Sequence, residues 1–155
     1  MHSIHQFKVT DIDGGEIDFK SFEGKKIIVV NVASQCGFTP QYQQLEELYQ
    51  EFSEKLIIVG VPTNNFGGQE PGTNDEIRTF CQMKYGVSFP LSAKIDVRES
   101  PVYQWLTSAS KNGVLDSEVS WNFQKYLLDE SGALVKMLPS SVSPMDESVL
   151  DWLGA

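Results

Sequence analysis

Two runs of aliphatic, mostly β-branched residues constrain this chain more than any other feature: Lys26-Ile27-Ile28-Val29-Val30-Asn31-Val32 and Leu56-Ile57-Ile58-Val59-Gly60-Val61-Pro62. Near-continuous apolar character over a strand's length is the pattern of a strand buried on both faces, not of one with a wet side. Between the runs, Tyr42, Leu45, Leu48, Tyr49 and Phe52 recur at helical spacing and form one buried stripe over 41–52. Strand, helix, strand in that order predicts a βαβ unit with a parallel core pairing, because parallel neighbours need a crossover to join them. Thr39 is expected to cap the helix and Pro40 to open it.

Shorter elements surround this unit. Gln6 to Asp11 and Glu16 to Phe19 flank the turn Asp13-Gly14-Gly15, which predicts an N-terminal β-hairpin over 7–18. Ser21-Phe22-Glu23-Gly24 reads as a short helical turn. Thr73 with Glu76 three residues on is a capping box, and its helix is expected to run from Asn74 to Tyr85 and stop at Gly86. Ile77, Phe80, Cys81 and Lys84 share one face of that helix by spacing, which buries Cys81. Ser88 to Leu91 is expected to be a short edge strand or turn, and Ser100-Pro101 to open a helix reaching about Ala109. A polar connector, 110–120, leads to a strand over Trp121 to Asp129 and its hairpin partner, Ala133 to Leu138. Ser143-Pro144 is expected to cap a last helix, Met145 to Leu153. No repeat or linker divides the chain, so 1–155 is expected to form a single domain.

Charge and composition exclude several functions. Hydrophobic content of 41% and charged content of 21% are those of an ordinary globular protein. A net charge of −9 argues against nucleic acid and stable membrane association, since both need a basic surface. The apolar runs are strand-sized and the N-terminus shows no apolar leader, so a cytoplasmic location is expected. The 2 histidines, His2 and His5, lie at the terminus, so no Cys/His metal site is expected.

Of the 2 cysteines, Cys36 sits between the end of the first buried strand and the start of the helix. In open α/β sheets chemistry is sited at that edge. The helix N-terminus there favours a thiolate. Position alone leaves Cys36 balanced between a reactive thiol and an inert buried one.

Three motifs tip that balance. Asn31-Val32-Ala33-Ser34-Gln35-Cys36-Gly37 resembles the peroxidatic motif of the glutathione peroxidase family in its cysteine form. Asn64-x-Phe66-Gly67-Gly68-Gln69-Glu70-Pro71-Gly72 resembles the family's second signature, and Trp121-Asn122-Phe123-x-Lys125 its third. The resemblance covers most of the chain from Phe7 onward. It implies a thioredoxin-like α/β fold, with a central mixed sheet and helices on both faces. It also implies that Cys36, Gln69, Trp121 and Asn122 form the catalytic group, with both Trp121 and Asn122 aimed at the sulfur. No cofactor is implied.

The chemistry suits those residue types. A free thiol, with pKa about 8.5, is mostly protonated near neutrality. Amide and indole N–H groups can stabilise the thiolate and the departing oxygen. No basic residue occurs between Gly37 and Glu54, so neutral donors and the helix terminus must suffice locally. Attack on a peroxide leaves a cysteine sulfenic acid. Phe80-Cys81-Gln82-x-x-Tyr85-Gly86-Val87-x-Phe89-Pro90 resembles the resolving-cysteine segment of the thioredoxin-dependent branch, which implies that Cys81 resolves it as a disulfide. By spacing alone Cys81 reads as a core residue. Joining it to Cys36 would require the 74–85 helix to unwind in part, since disulfides need Cα atoms within about 7 Å.

The sequence departs from the family pattern at Asn65, where many members have glutamine, and at Thr63, where many have a further cysteine. The short connector over 110–120 is that of monomeric members. The resulting expectation is a peroxidase that reduces hydrogen peroxide and organic hydroperoxides, with thioredoxin as reductant. Two alternatives remain: a glutathione-dependent peroxidase, disfavoured by the acidic residues Glu46, Glu47, Glu51 and Glu54, and a peroxide sensor that relays oxidation to a partner protein. A thioredoxin-type oxidoreductase would need a second cysteine where Thr39 stands.

Overall fold

A computed structural model describes residues 2–155. The two apolar runs form β3 (Lys26–Val32) and β4 (Leu56–Pro62), which pair in parallel with Ile27 opposite Ile57 and Val32 opposite Pro62. Helix α1 (Gln41–Phe52) crosses between them. Before this unit, β1 (Lys8–Thr10) and β2 (Glu16–Asp18) make the expected antiparallel hairpin. After it come α2 (Asn74–Tyr85), α3 (Pro101–Thr107), the short α4 (Ala109–Asn112), β5 (Lys125–Leu128), β6 (Leu134–Leu138) and α5 (Glu147–Leu153). The four-stranded sheet has the order β4-β3-β5-β6. Strand β5 runs antiparallel to β3, and β6 antiparallel to β5, so the sheet is mixed.

Burial follows the alternation of the strands. Ile28, Val30 and Val32 face a layer containing Tyr42, Leu45 and Leu48 of α1, Ile77 and Cys81 of α2, and Val149 and Leu153 of α5. Ile27, Val29, Ile57 and Val59 face the opposite layer, built by Ile4, Phe19 and the α3 residues Val102, Tyr103, Trp105 and Leu106. Helices therefore cover both faces. Residues 90–95 run along the outer edge of β4, where the Gly60 N–H donates to the Pro90 carbonyl and the Ser92 N–H to the Gly60 carbonyl, both at 2.9 Å. Gly60 permits that approach, because a Cβ there would stand 2.7 Å from Leu91 Cδ2.

Four expectations need correction. The Thr39 side chain does not cap α1; it is drawn back into the Cys36 loop, and Pro40 precedes the helix without a side-chain cap. The expected strand from Trp121 begins only at Lys125, because Phe123 takes a left-handed conformation (φ 66°) that breaks the extended run. The helix after Ser100 stops at Thr107, and α4 forms inside the expected polar connector, under Ser108 and ended by the left-handed Gly113. The final helix starts at Glu147, capped by Asp146 through the Ser148 N–H. Ser143 holds only a turn, through the Met145 N–H at 3.0 Å.

Candidate active site

Three loops meet at the C-terminal ends of β3 and β4. The Cys36 loop leaves β3, and the glycine-rich loop 63–73 leaves β4. The Trp121–Gln124 turn joins them because β5 is antiparallel to β3, so its beginning lies where β3 ends. The Phe123 N–H donates to the Asn31 carbonyl at 2.6 Å, and Asn31 Nδ2 donates to the Trp121 carbonyl at 3.0 Å. Buried Asn31 thus pins the turn twice from the last positions of β3.

Cys36 is 8% exposed, at the floor of its loop. Its N–H donates to Thr39 Oγ1 at 2.9 Å, and the same hydroxyl donates to the Ala33 carbonyl at 2.8 Å. Thr39 therefore closes the loop around the cysteine. The Phe38 N–H donates to Cys36 Sγ at 3.3 Å. It is this backbone donor that reaches the sulfur, in place of the side chains of Gln69, Trp121 and Asn122. The reason lies in how those groups are engaged. Asn122 Nδ2 donates to Gln69 Oε1 at 3.1 Å and to the Phe66 carbonyl at 3.2 Å. With Gln69 Oε1 accepting from Asn122, the Gln69 Nε2 group is the amide N–H that the pair does not consume. The Gln35 N–H donates to the Gln69 carbonyl at 3.1 Å, which ties the glycine-rich loop directly beside Cys36.

The glycine-rich loop also admits the tryptophan. Gly67 is left-handed (φ 71°), and a Cβ there would lie 2.7 Å from Trp121 Cη2. The Phe66 ring meets Trp121 edge-on, with centroids 6.3 Å apart. Cys36, Gln69, Trp121 and Asn122 thus share one edge of the sheet, with Gln69 bonded to Asn122 and the two loops bonded to each other.

Behind them lies buried Glu70. Its Oε2 accepts from Ser34 Oγ at 3.0 Å, and Lys94 Nζ donates to the Gly72 carbonyl at 2.6 Å. Burial raises the Glu70 pKa, and the Ser34 hydroxyl and Lys94 ammonium offset part of that rise. The two sequence departures hold each other: Thr63 Oγ1 donates to Asn65 Oδ1, which also accepts from the Val97 N–H at 2.8 Å. Their pairing is internal to the fold and leaves Gln69 and Asn122 untouched.

Cys81 lies in the middle of α2, fully buried, and both cysteines are free thiols. Burial pushes the Cys81 thiol up to about 11, and the Glu70 charge adds to the rise. The Tyr42 hydroxyl beside it acts the other way, and by more than the Glu70 charge adds. That hydroxyl meets no partner at full hydrogen-bond geometry, so the two groups touch without a formed bond. In place, Cys81 is a neutral thiol packed in the core. Of the acidic residues on α1, Glu46 is not on the solvated face: its carboxylate accepts from the Ser88 N–H at 2.8 Å and from Ser88 Oγ at 2.6 Å. Among the described residues no group of three or more histidine, cysteine or carboxylate side chains is placed to hold a metal, and no helix is long and apolar enough to cross a membrane.

Sequence reasoning missed Thr39 as the lock of the Cys36 loop and Asn31 as the anchor of the Trp121 turn. An asparagine inside an otherwise aliphatic buried strand was the available signal for the second, since a buried amide must find partners.

A peroxidatic-type cysteine loop with an amide pair and an indole, at the strand ends of this mixed sheet, defines a thiol-based site on a thioredoxin-like fold. The family profile for Glutathione peroxidase matches residues 4–107. A glutathione peroxidase-like peroxiredoxin of Chlamydomonas reinhardtii is 45% identical over 157 aligned positions, covering 96% of each chain. A hydroperoxy fatty acid reductase of Synechocystis sp. is 41% identical, covering 97% of this chain and 94% of its own. The apo crystal structure of Trgpx superposes with a TM-score of 0.74 at 31% identity, covering 99% of this chain and 96% of that one. The chain belongs to the glutathione peroxidase family.

Proposed function

We propose that this protein is a thiol peroxidase that reduces hydrogen peroxide and organic hydroperoxides through Cys36, with Cys81 as resolving thiol and thioredoxin as reductant. The observation that carries the reading is the Gln69–Asn122 amide pair, fixed by the Gln35–Gln69 backbone bond beside the Cys36 loop. The Cys36 thiolate attacks one peroxide oxygen. The S–O bond forms, the O–O bond breaks, and the other oxygen leaves as water or alcohol after taking a proton. Gln69 Nε2 and the Trp121 indole N–H are the donors able to stabilise charge on that oxygen. Cys81 then attacks the Cys36 sulfenic acid sulfur, forming the disulfide and releasing water. Thioredoxin reduces the disulfide by thiol–disulfide exchange. The names of the relatives support a hydroperoxide substrate, a fatty-acid hydroperoxide among them.

Resolution requires movement, because Cys81 is neutral, buried and helical in the reduced fold. Opening of α2 would bring the thiol to solvent, where its pKa returns toward the ordinary value. The compact connector, stitched by Asn112 Nδ2 to the carbonyls of Trp105, Leu106 and Leu115, supports a monomer. A cytoplasmic location fits the sequence expectation.

The deciding assay is peroxide-dependent NADPH consumption with thioredoxin and its reductase, on wild type, Cys36→Ser and Cys81→Ser. Loss of turnover in both variants supports the two-cysteine cycle. Turnover of Cys81→Ser with glutathione alone moves the assignment to the glutathione-dependent reading. A silent wild type that still forms a mixed disulfide with a partner moves it to the sensor.

A further inference from the structure

The third motif ends on a lysine that the chemistry above does not use. Lys125 opens β5, opposite Val30 of β3 and Leu138 of β6, and is 2% exposed. Neither ion pair among the described residues involves it. Its ammonium donates instead to two backbone carbonyls, those of Phe123 at 2.7 Å and Ser140 at 3.1 Å. A methionine would fill the same space without burying a cation, so packing alone gives no reason for the residue.

What the ammonium holds gives one. Phe123 directly follows Asn122 and is the one non-glycine residue with positive φ among those described. That conformation is unfavourable for a residue with a Cβ and persists only when its surroundings fix it. The Phe123 N–H is held by Asn31, and its carbonyl by Lys125. The Ser140 carbonyl also accepts from Gln41 Nε2 at 2.8 Å, and Gln41 is the first residue of α1. Lys125 therefore ties the turn bearing Trp121 and Asn122 to the helix that begins just after the Cys36 loop.

We propose that Lys125 is a positioning residue for the peroxide step: its Nζ group clamps the Phe123 and Ser140 carbonyls and so sets the Trp121–Asn122 turn relative to Cys36. This rests on the peroxidase reading. A donor-bearing side chain is required at this position, and the thioredoxin step does not depend on it.

The test is Lys125→Met, with the two half-reactions measured separately by stopped flow. The second-order rate of Cys36 oxidation by hydrogen peroxide is expected to fall at least tenfold. The rate at which thioredoxin reduces the disulfide of the same variant is expected to stay within twofold of wild type. A peroxide rate within twofold of wild type overturns the proposal, and so does an equal fall in both half-reactions, which marks a merely structural residue.

If the variant does not fold, wild type decides by nitrogen-15 spectroscopy. The amides of Gln124 and Ser141 follow the two clamped carbonyls and should titrate together. Burial alone lowers the Lys125 pKa, to about 7, so the midpoint should lie near there. Val30, Leu138, Gln41 and Ser140 around the amine are uncharged. Lys136, the β6 cation, pairs in register with Leu127, and Tyr42 on α1 packs on the Phe123 ring with its hydroxyl kept protonated by burial. Two different midpoints, movement of only one of the two amides, or curves flat across the whole pH range in which wild type stays folded overturn the clamp. A wild type that reduces no peroxide overturns the peroxidase reading instead, and the amide titration still judges the clamp.

Discussion

Lys125→Met should make the fold more stable at low pH while making the site worse, and the size of the gain should depend on pH in a calculable way. Burial holds the folded-state pKa near 7, against an ordinary value of 10.5. Between those values the unfolded chain binds a proton that the folded chain does not. Wild-type stability therefore rises with pH through this window, and the lysine's cost is full below pH 7. Integrating the linkage relation from pH 6 to pH 9 gives a rise of about 2.5 kcal/mol from this one group. Methionine has no such dependence. The stability difference between Lys125→Met and wild type should accordingly shrink by about 2.5 kcal/mol over that range, or roughly 5–10 °C in melting midpoint for a chain of this size. The Phe123 carbonyl, left without its donor, lowers the variant at every pH by a constant of about 1–3 kcal/mol. It shifts the whole difference and leaves its slope alone. The Cys81 thiol, raised to about 11 from an ordinary 9.0, is present in both proteins and cancels in the difference; stopping at pH 9 keeps its opposite slope out of each separate curve. Urea unfolding of both proteins at each pH unit reads the difference directly. A difference constant to within about 0.5 kcal/mol from pH 6 to 9 would refute the reasoning, since it would mean that the amine is hydrated or charged at no cost.

Other perturbations test separate parts of the structure. Thr73→Ala removes the reciprocal cap in which Thr73 and Glu76 satisfy each other's backbone N–H, and should cost about 1 kcal/mol; an unchanged urea midpoint would show that α2 does not depend on its cap. Gly67→Ala places a Cβ against Trp121 in a left-handed backbone and should slow Cys36 oxidation at least tenfold; a wild-type rate would show that the Trp121 ring is not needed where it sits. On peroxide treatment, amide exchange across Ile77 to Lys84 should accelerate as Cys81 leaves the core, and unchanged protection there would exclude opening of α2.

Much of this was legible in the sequence where local chemistry is decisive. The bounds of α2 followed from a capping box at one end and a left-handed glycine at the other, and both are present. The burial of Cys81 followed from helical spacing, and the pairing of β3 with β4 from the crossover between them. The misses share a cause. Thr39 had two possible partners, the helix it precedes and the loop it follows, and the Cys36 N–H won. Trp121 to Gln124 has an extended-looking sequence, but the turn is imposed by Asn31 and Lys125 from elsewhere in the fold. Phe123 carries no local mark of a left-handed residue, as a glycine or asparagine would. The four motif residues were placed together, yet how Asn122 distributes its two amide hydrogens could be read only from the geometry.

Helix α2 is fastened at both ends: by the Thr73–Glu76 capping box at its start, and at its close by the Gly86 N–H on the Gln82 carbonyl and the Val87 N–H on that of Cys81 itself. In the proposed cycle this makes the helix a timer. While it is closed, a Cys36 sulfenic acid has no intramolecular thiol to meet, and a second peroxide can carry it to sulfinic acid, where the cycle stops. The lifetime of the closed helix thus sets the peroxide concentration above which the protein inactivates itself. Strengthening the caps would lower that ceiling and loosening them would raise it, with no change to any group that touches the substrate.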